Sequence, residues 1–322
     1  MGVTLVAARA ASAEASREAR RSAWRARRSA REAARDWASP AGPDPVWLLY
    51  LGWYVQYAFG LVLKALGLYA RGVRNALAIG LTRFELAFRD LPAAFEGYRI
   101  LQLSDAHFDT LPELAAAAGR LLGGLEVDLV IMTGDFRGGI AGPFEAALAP
   151  FGPLLGAIRS RDGCLAVLGN HDPAAIVEPL EALGIRVLVN ESMVLERGGA
   201  GFVVTGLDDV HQFYTEAARA ALAEAPAGFK LALVHSAEAA DFAAEAGYRL
   251  YLCGHTHGGQ VCWPGGRAIV THLKRCGFGA AGLWRYGAMT GYTSRGLGVA
   301  RPPVRFNCRG EATLITLRRE PR

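Results

Sequence analysis

From Tyr98 onward, short apolar runs alternate with amphipathic stretches, and five of the runs end in a polar residue suited to binding metal. Residues 99–103 lead into Ser104-Asp105-Ala106-His107, and residues 128–132 into Thr133-Gly134-Asp135. Residues 165–168 lead into Gly169-Asn170-His171-Asp172, residues 231–234 into His235, and residues 250–253 into Gly254-His255-Thr256-His257-Gly258-Gly259. Apolar runs this short, without alternation, read as strands buried on both faces. Residues 112–122, 143–159 and 174–183 carry helical periodicity, which predicts crossover helices and an α/β layering. In such sheets the loops at the carboxyl ends of the strands converge on one crevice. The five polar clusters are therefore expected to meet.

Ahead of this region the pattern changes. Residues 7–37 are almost entirely Ala, Arg, Ser and Glu, which predicts a long, basic, exposed helix. The stretch Pro40-Ala41-Gly42-Pro43-Asp44-Pro45 ends it, and residues 45–63 then run for 19 positions without a charge, filled by leucines with Trp47, Tyr50, Trp53, Tyr54 and Tyr57. That length suffices to cross a bilayer, but Gln56 and the density of Trp and Tyr suit a helix at headgroup level equally well. Tyr69, Val73, Leu77, Leu81, Phe84, Phe88 and Leu91 follow at spacings of three and four, with Arg71, Arg74, Arg83 and Arg89 off the stripe. This predicts an amphipathic helix lying in the membrane plane. The expected division is a basic helical segment over residues 1–45, membrane-associating helices over 46–95 and a main domain over 96–322. No clean small-residue cleavage site directly follows the apolar run, so a secretory signal peptide is not the expected reading.

Composition supports a globular bulk: 52% hydrophobic and 20% charged residues cannot describe a disordered or coiled-coil chain. The net charge of +5 divides unevenly, with +7 on residues 1–95 and −2 on residues 96–322. The main domain therefore lacks the clustered positive charge that phosphate-backbone binding needs, and no nucleic-acid partner is expected. Nine arginines lie before residue 45, and each one near an anionic lipid surface would add about 1 kcal/mol of attraction. Five scattered cysteines without a Cys-x-x-Cys pair read as reduced thiols with no role in the chemistry.

If the five clusters meet, two aspartates, four histidines and an asparagine face one another. Asp105 and Asp135 would repel and be costly to desolvate unless cations lie between them. A donor set of nitrogen and oxygen without thiolate favours Mn²⁺, Mg²⁺, Fe or Zn²⁺. Seven donors exceed what one four-coordinate ion needs, so two ions bridged by one carboxylate is the economical count, with a bridging hydroxide as the natural nucleophile for in-line displacement at phosphorus. His171, beside Asn170, is left over to protonate the leaving oxygen, and Asp172 is available to orient it. Singly, each signal is more often structural. Their ordered coincidence is what carries the reading.

The series D-x-H, G-D, G-N-H-D, H, G-H-x-H-G-G resembles the calcineurin-like metallophosphoesterase family across residues 97–322. The resemblance implies a sandwich of two mixed sheets flanked by helices and a centre of two divalent ions, Mn²⁺ foremost. It implies that Asp105, His107 and His257 hold one ion, that Asn170, His235 and His255 hold the other, that Asp135 bridges, and that His171 is the transition-state histidine. Phe95-Glu96-Gly97-Tyr98-Arg99-Ile100, Ser294-Arg295-Gly296-Leu297-Gly298 and Pro303-Val304-Arg305-Phe306-Asn307-Cys308 look like the bacterial membrane-associated members, some of which are UDP-2,3-diacylglucosamine hydrolases of lipid A synthesis and others general phosphodiesterases.

The expected activity is hydrolysis of phosphoric ester or pyrophosphate bonds at a membrane surface, on a substrate that is lipid-linked, with residues 46–91 forming the membrane contact. The alternatives are a phosphodiesterase or nuclease acting on a soluble substrate, and a non-catalytic membrane scaffold. Arg295, His272 and Arg137 are the leading candidates for contact with substrate phosphate; Arg305, Lys274 and Arg275 are further cationic candidates. The expected location is the inner membrane, with the main domain on the cytoplasmic side if residues 46–63 lie flat and on the periplasmic side if they span.

Overall fold

The computed structural model describes residues 2–43 and 46–320, with the side chains of residues 2–14, 46, 48 and 49 left aside. Asp44 and Pro45, which close the proline-rich break, lie outside the described residues, as does the side chain of Arg9.

Two six-stranded sheets pack face to face. The first runs in the order Gly80–Phe88, Glu311–Arg319, Arg99–Leu103, Leu129–Met132, Cys164–Ala166, Ile185–Val187. The second runs Glu191–Arg197, Ala200–Gly206, Phe229–Leu233, Leu250–Cys253, Met289–Thr293, Gly282–Tyr286. Both are mixed: the central pairings are parallel, and antiparallel strands close the edges of the second sheet and join Glu311–Arg319 to Arg99–Leu103 in the first.

The reason that the strand sequences are apolar without alternation is visible in the layers. Ile100, Leu129, Ile131 and Leu165 face Phe202, Leu231, Leu233, Leu250 and Leu252 across the space between the sheets. Their neighbours Leu101, Leu103, Val130 and Met132 point the other way, under the helices Glu113–Leu122, Phe151–Gly156 and Val177–Ala182. Ala232, Val234, Tyr251 and Cys253 do the same beneath Glu216–Ala223 and Ala240–Glu245. Each such side chain contributes about 1.5–3 kcal/mol on burial, so a polar residue at any of these positions would be selected against on both faces. The expectation of two mixed sheets flanked by helices holds. The predicted helix over 143–159 is two short ones, Glu145–Leu148 and Phe151–Gly156, separated around Pro150.

One expectation fails. The stripe from Tyr69 to Leu91 is not a single amphipathic helix: Tyr69–Leu77 is helical, but Gly80–Phe88 is a strand, paired in parallel with Glu311–Arg319 at the edge of the first sheet. Within it Phe84, Leu86 and Phe88 face the core while Arg83, Glu85 and Ala87 are exposed, a period of two. Phe84 and Phe88 are four apart, which satisfies both a helical turn and a strand alternation, and this made the periodicity ambiguous. The sheet of the main domain therefore begins at Gly80, inside the stretch assigned to the membrane helices.

The N-terminal helix Gly2–Ala34 is basic as expected but not free of the rest. Its arginines reach carboxylates of the sandwich: Arg17 to Glu191 at 2.8 Å, Arg21 to Glu181 at 2.6 Å, Arg25 to Glu178 at 2.6 Å and Arg28 to Asp208 at 2.8 Å. Trp24 is buried and donates its indole N–H to Asp208 at 2.6 Å. Much of the positive charge read as available to lipid is thus spent on docking.

The helix Val46–Ala65 follows, then a sharp change of direction into Tyr69–Leu77. Among the described residues no single helix is long and apolar enough to cross a membrane; the two together form one candidate, bent by 108°.

Candidate functional site

The five polar clusters do converge, at the carboxyl ends of strands from both sheets. Asp105 and His107 follow Arg99–Leu103, Asp135 follows Leu129–Met132, and Asn170 and His171 follow Cys164–Ala166, all from the first sheet. His235 follows Phe229–Leu233, and His255 and His257 follow Leu250–Cys253, from the second. The seam between the sheets thus holds all seven candidate ligands.

Two donor groups share Asp135. In one, His107 Nε2 lies 3.2 Å from His257 Nε2, His257 Nε2 lies 3.5 Å from Asp105 Oδ1, and His107 Nε2 lies 3.6 Å from Asp135 Oδ2. In the other, His235 Nε2 lies 3.2 Å from both Asn170 Oδ1 and His255 Nδ1; Asn170 Oδ1 is 3.1 Å from His255 Nδ1, and Asp135 Oδ2 is 3.4 Å from His235 Nε2. Donor atoms at about 2.0–2.2 Å from one cation sit about 3.0–3.5 Å from one another. The spacing in both groups fits that requirement, and Asp135 Oδ2 stands where one oxygen serves both.

The rings are held in the tautomer that ligation needs. A carbonyl only accepts, so His107 Nδ1 donates to Arg137 O at 2.7 Å and His235 Nδ1 donates to Thr133 O at 2.6 Å. Each Nε2 is thereby aimed into the site. The carboxylates are aimed by backbone donors: His255 N–H donates to both oxygens of Asp105 at 3.1 Å, and His171 N–H to Asp135 Oδ1 at 3.0 Å. Close approach also requires glycine at two positions. A Cβ on Gly169 would stand 2.1 Å from Asp135 Oδ1, and one on Gly254 2.3 Å from Asp105 Oδ2.

Strain is concentrated in the same residues. Asp105, His107, Asp135, His255 and His257 all have φ between +41° and +71°, a region in which non-glycine residues are uncommon and cost of order 1–3 kcal/mol each. The surrounding sandwich over-determines these loops, and the cost is accepted where the side chains must converge.

Charge follows burial. Burial pushes the Asp105 carboxyl up to about 6, with His235 opposing and Asp135 adding to the rise. At Asp135 burial works the same way, but His235, His171 and His107 outweigh it and hold the carboxyl well below the usual range. Burial lowers His107 to about 4 and pushes His255 and His257 well down, so these three rings are neutral near pH 7, the form that ligates. His235 is the exception: burial lowers it, but Asp135 facing its Nε2 wins and raises it to about 10, so a cation binding there takes the place of a proton. His255 Nε2 and His257 Nδ1 are buried without a hydrogen-bond partner. Neutral imidazoles facing carboxylates and one another across a buried space suit two divalent cations, and the donor set fits them.

His171 stands beside this centre. Its ring is partly exposed, with Nε2 4.0 Å from Asp135 Oδ2. Asp172 does not orient that ring, contrary to expectation. Its carboxylate accepts the backbone N–H of Asp135 at 2.8 Å, Phe136 at 2.9 Å and Gly169 at 2.8 Å, which ties the Asp135 and Asn170 loops together. The His171 ring is fixed instead by Nδ1 donating to Gly138 O at 2.8 Å.

Of the three residues expected to contact substrate, only His272 reaches the opening of the site. The Arg137 guanidinium is consumed by the carbonyls of His171 at 2.6 Å, Gly142 at 2.6 Å and Ile140 at 3.0 Å. Arg295 pairs with Glu311 at 3.2 Å and lies away from the cavity lining. Arg305 is fully buried and donates to the carbonyls of His257 at 3.1 Å and Gly298 at 2.7 Å. Arg137 and Arg305 satisfy backbone acceptors left by irregular loops and Arg295 an internal carboxylate, roles that sequence does not distinguish from phosphate binding.

A cavity of about 880 Å³ opens over the centre. Its floor includes Asp135, Asn170, His171, His255 and His257, and its far wall is the helix Val46–Ala65, through Trp53, Gln56, Tyr57, Leu61 and Lys64. His211, Gln212 and Lys274 complete the polar side. His211 was missed in the sequence. It is buried, its ring centroid lies 4.0 Å from that of His255, and its Nδ1 has no partner. The signal was present: Ala200–Gly206 is another apolar strand, ending in Leu207-Asp208-Asp209-Val210-His211.

Comparison with known proteins agrees with this geometry. The family model described as calcineurin-like phosphoesterase matches residues 98–259. The Escherichia coli (strain K12) phosphodiesterase YaeI is 30% identical over 74% of this chain and 87% of its own length. The Bacillus subtilis (strain 168) metallophosphoesterase YkuE is 30% identical over 71% and 82%. A Bos taurus protein named as a transmembrane protein with metallophosphoesterase domain is 28% identical over 81% of this chain and 61% of its own length. With the sandwich, the paired donor groups and these relatives together, the chain belongs to the calcineurin-like phosphoesterase family and is a phosphoester-hydrolysing enzyme.

Proposed function

We propose that the protein is a dinuclear hydrolase that cleaves a phosphodiester or pyrophosphate bond in an amphiphilic, lipid-linked substrate at a membrane surface. Asp105, His107 and His257 would hold one divalent cation, and Asn170, His235 and His255 the other, with Asp135 shared. When bound, such a pair supplies Lewis-acid charge at the phosphoryl oxygens and a nucleophile from water at neutral pH. The chain's own groups do the rest. His171 Nε2 delivers to the leaving oxygen a proton that it has taken up from solvent, while its Nδ1–H stays on the Gly138 carbonyl and fixes the direction of the ring. The buried seam excludes bulk water and strengthens every charge in it.

The observation that carries the substrate class is the cavity, which has metal-binding side chains on one side and an aromatic helix on the other. The outward face of that helix is unusually apolar: Trp47 is 62% exposed and Tyr54 73%, beside exposed Leu51, Val55 and Val62. A contiguous exposed patch of this kind, rich in Trp and Tyr, suits the headgroup layer of a bilayer. A substrate whose tail remains in that layer would place its phosphate at the centre.

The test is a panel of substrates, a UDP-diacylglucosamine and a soluble aryl phosphodiester, each with Mn²⁺ and each with and without detergent micelles. Micelle-dependent turnover of the acylated substrate is the expected result. Turnover of the soluble diester alone, indifferent to micelles, would replace the lipid reading with a general phosphodiesterase. Separately, a Trp47→Glu, Tyr54→Glu variant should lose co-sedimentation with phosphatidylglycerol vesicles by about tenfold or more, since each aromatic side chain withdrawn from the interface forfeits about 1.5–3 kcal/mol. Neither residue lines the cavity, so hydrolysis of the soluble diester should be unaffected. Unchanged sedimentation would place the membrane contact elsewhere.

A further inference from the structure

We infer that Arg28, on the N-terminal helix, is a positioning residue of the active site, holding the two loops that flank the centre in register across the seam between the sheets. This rests on the proposed roles of Asn170 and His171. Arg28 is 2% exposed, and each of its three guanidinium nitrogens donates a hydrogen bond. Nη2 donates to the carbonyl oxygen of Asp172 at 2.9 Å, in the loop that carries Asn170 and His171. Nη1 donates to Asp208 Oδ1 at 2.8 Å, in the loop that carries His211. Nε donates to Glu32 Oε1 at 2.9 Å, and the same oxygen accepts the N–H of Ala174 at 2.8 Å. The guanidinium also lies 3.3 Å over the Phe213 ring.

The two loops belong to different sheets. The first follows Cys164–Ala166 in one, and the second follows Ala200–Gly206 in the other. Asp172, gripped at its carbonyl by Arg28, grips Asp135 and Gly169 with its carboxylate. Asp208, gripped at Oδ1, accepts the N–H of Asp209 on the same oxygen, and Asp209 accepts the N–H of His211 and Gln212. One planar fork therefore spans from the leaving-group histidine to the cavity wall. Only a guanidinium has donors diverging enough to do this; an ammonium reaches one acceptor or the other. A displacement of about 1 Å in such a loop is enough to cost catalysis heavily.

The experiment compares full-length Arg28→Ala, Arg28→Lys and Arg25→Ala. Arg25, on the same helix as Arg28, pairs with Glu178 of the sandwich but touches neither loop, so it controls for loosened docking. For the Mn²⁺-loaded enzyme on an aryl phosphodiester, Arg28→Ala should lower kcat by about 10- to 100-fold while KM moves within about threefold, as loss of a residue that orients others does. Arg28→Lys should fall between, and Arg25→Ala should match wild type. Hydrogen exchange gives a readout apart from activity: the segment 167–176 should lose protection in Arg28→Ala and keep it in Arg25→Ala. Equal kcat losses in Arg28→Ala and Arg25→Ala, or unchanged exchange in Arg28→Ala, would overturn the inference. If the wild type itself hydrolyses nothing with metal, the proposed function has failed, and the exchange comparison alone then decides the tie. Should Arg28→Ala not fold, Arg28→Lys against Arg25→Ala carries the same comparison.

Discussion

Asp135→Asn should abolish most metal binding and activity together. Asp135 Oδ2 lies within 3.4–3.6 Å of a histidine nitrogen in each donor group, His235 in one and His107 in the other. Asparagine offers one neutral oxygen and an amide that would present its protons to a cation. Since loss even of an outer partner of a metal ligand costs about 10–100-fold in affinity or activity, loss of the shared ligand should cost at least about 100-fold. Elemental analysis should find fewer than the two ions per chain expected of the wild type. Thermal stability separates this from misfolding. A cation at about 100 times its Kd stabilises the native state by about 2.7 kcal/mol, so chelation should lower the Tm of the wild type clearly. The variant should be indifferent to chelator, and its Tm should lie near that of the chelated wild type, because removing the charge also relieves the repulsion between Asp105 and Asp135. An Asp135→Asn protein with full metal content and wild-type turnover would remove Asp135 from the centre of the mechanism.

His171→Ala should behave in the opposite way, keeping both ions and losing turnover. The ring hangs from the Gly138 carbonyl at 2.8 Å with Nε2 turned toward the centre, 4.0 Å from Asp135 Oδ2, farther than the rings of His107 and His235. A group that protonates the leaving oxygen contributes about 10²–10⁴ in rate, and its value depends on how much the leaving group needs the proton. The variant should therefore lose about 10² or more on an alkyl phosphodiester and much less on a p-nitrophenyl ester, whose phenolate departs unaided. An equal loss on both esters, or metal content falling as in Asp135→Asn, would make His171 a ligand rather than an acid. His107, Asp135 and His171 lie close enough together for that alternative to be a real one.

The buried strands were legible because both faces are covered, so most positions are apolar, and because a ligand-type residue follows each one. The helix Tyr69–Leu77 and the strand Gly80–Phe88 were run together because Phe84 and Phe88 satisfy two periods at once, and the pairing that decides between them comes from residues 311–319, more than two hundred positions away. Arg137, Arg295 and Arg305 have the sequence context of phosphate contacts, yet Arg137 and Arg305 hold backbone carbonyls and Arg295 an internal carboxylate. Nothing local distinguishes an arginine that satisfies a loop from one that waits for a ligand, since both need a donor fork beside glycine-rich backbone. Adjacency suggests that Asp172 orients His171, yet side chains of neighbouring loop residues commonly diverge, and this one turns to the backbone.

What the sequence determined alone is the set of strands, the identity of the polar residues at their ends and, from the order of those residues, the chemistry they suit. These follow from local rules: burial on both faces demands apolar runs, and chain reversal at a strand end exposes whatever comes next. Only the tertiary structure decided which donors face one another, that five of them bend into left-handed backbone to do so, that His211 joins them, and that the N-terminal arginines dock on the sandwich. Those outcomes depend on distances between residues far apart in the chain. They are fixed by how two sheets pack, which no single segment encodes.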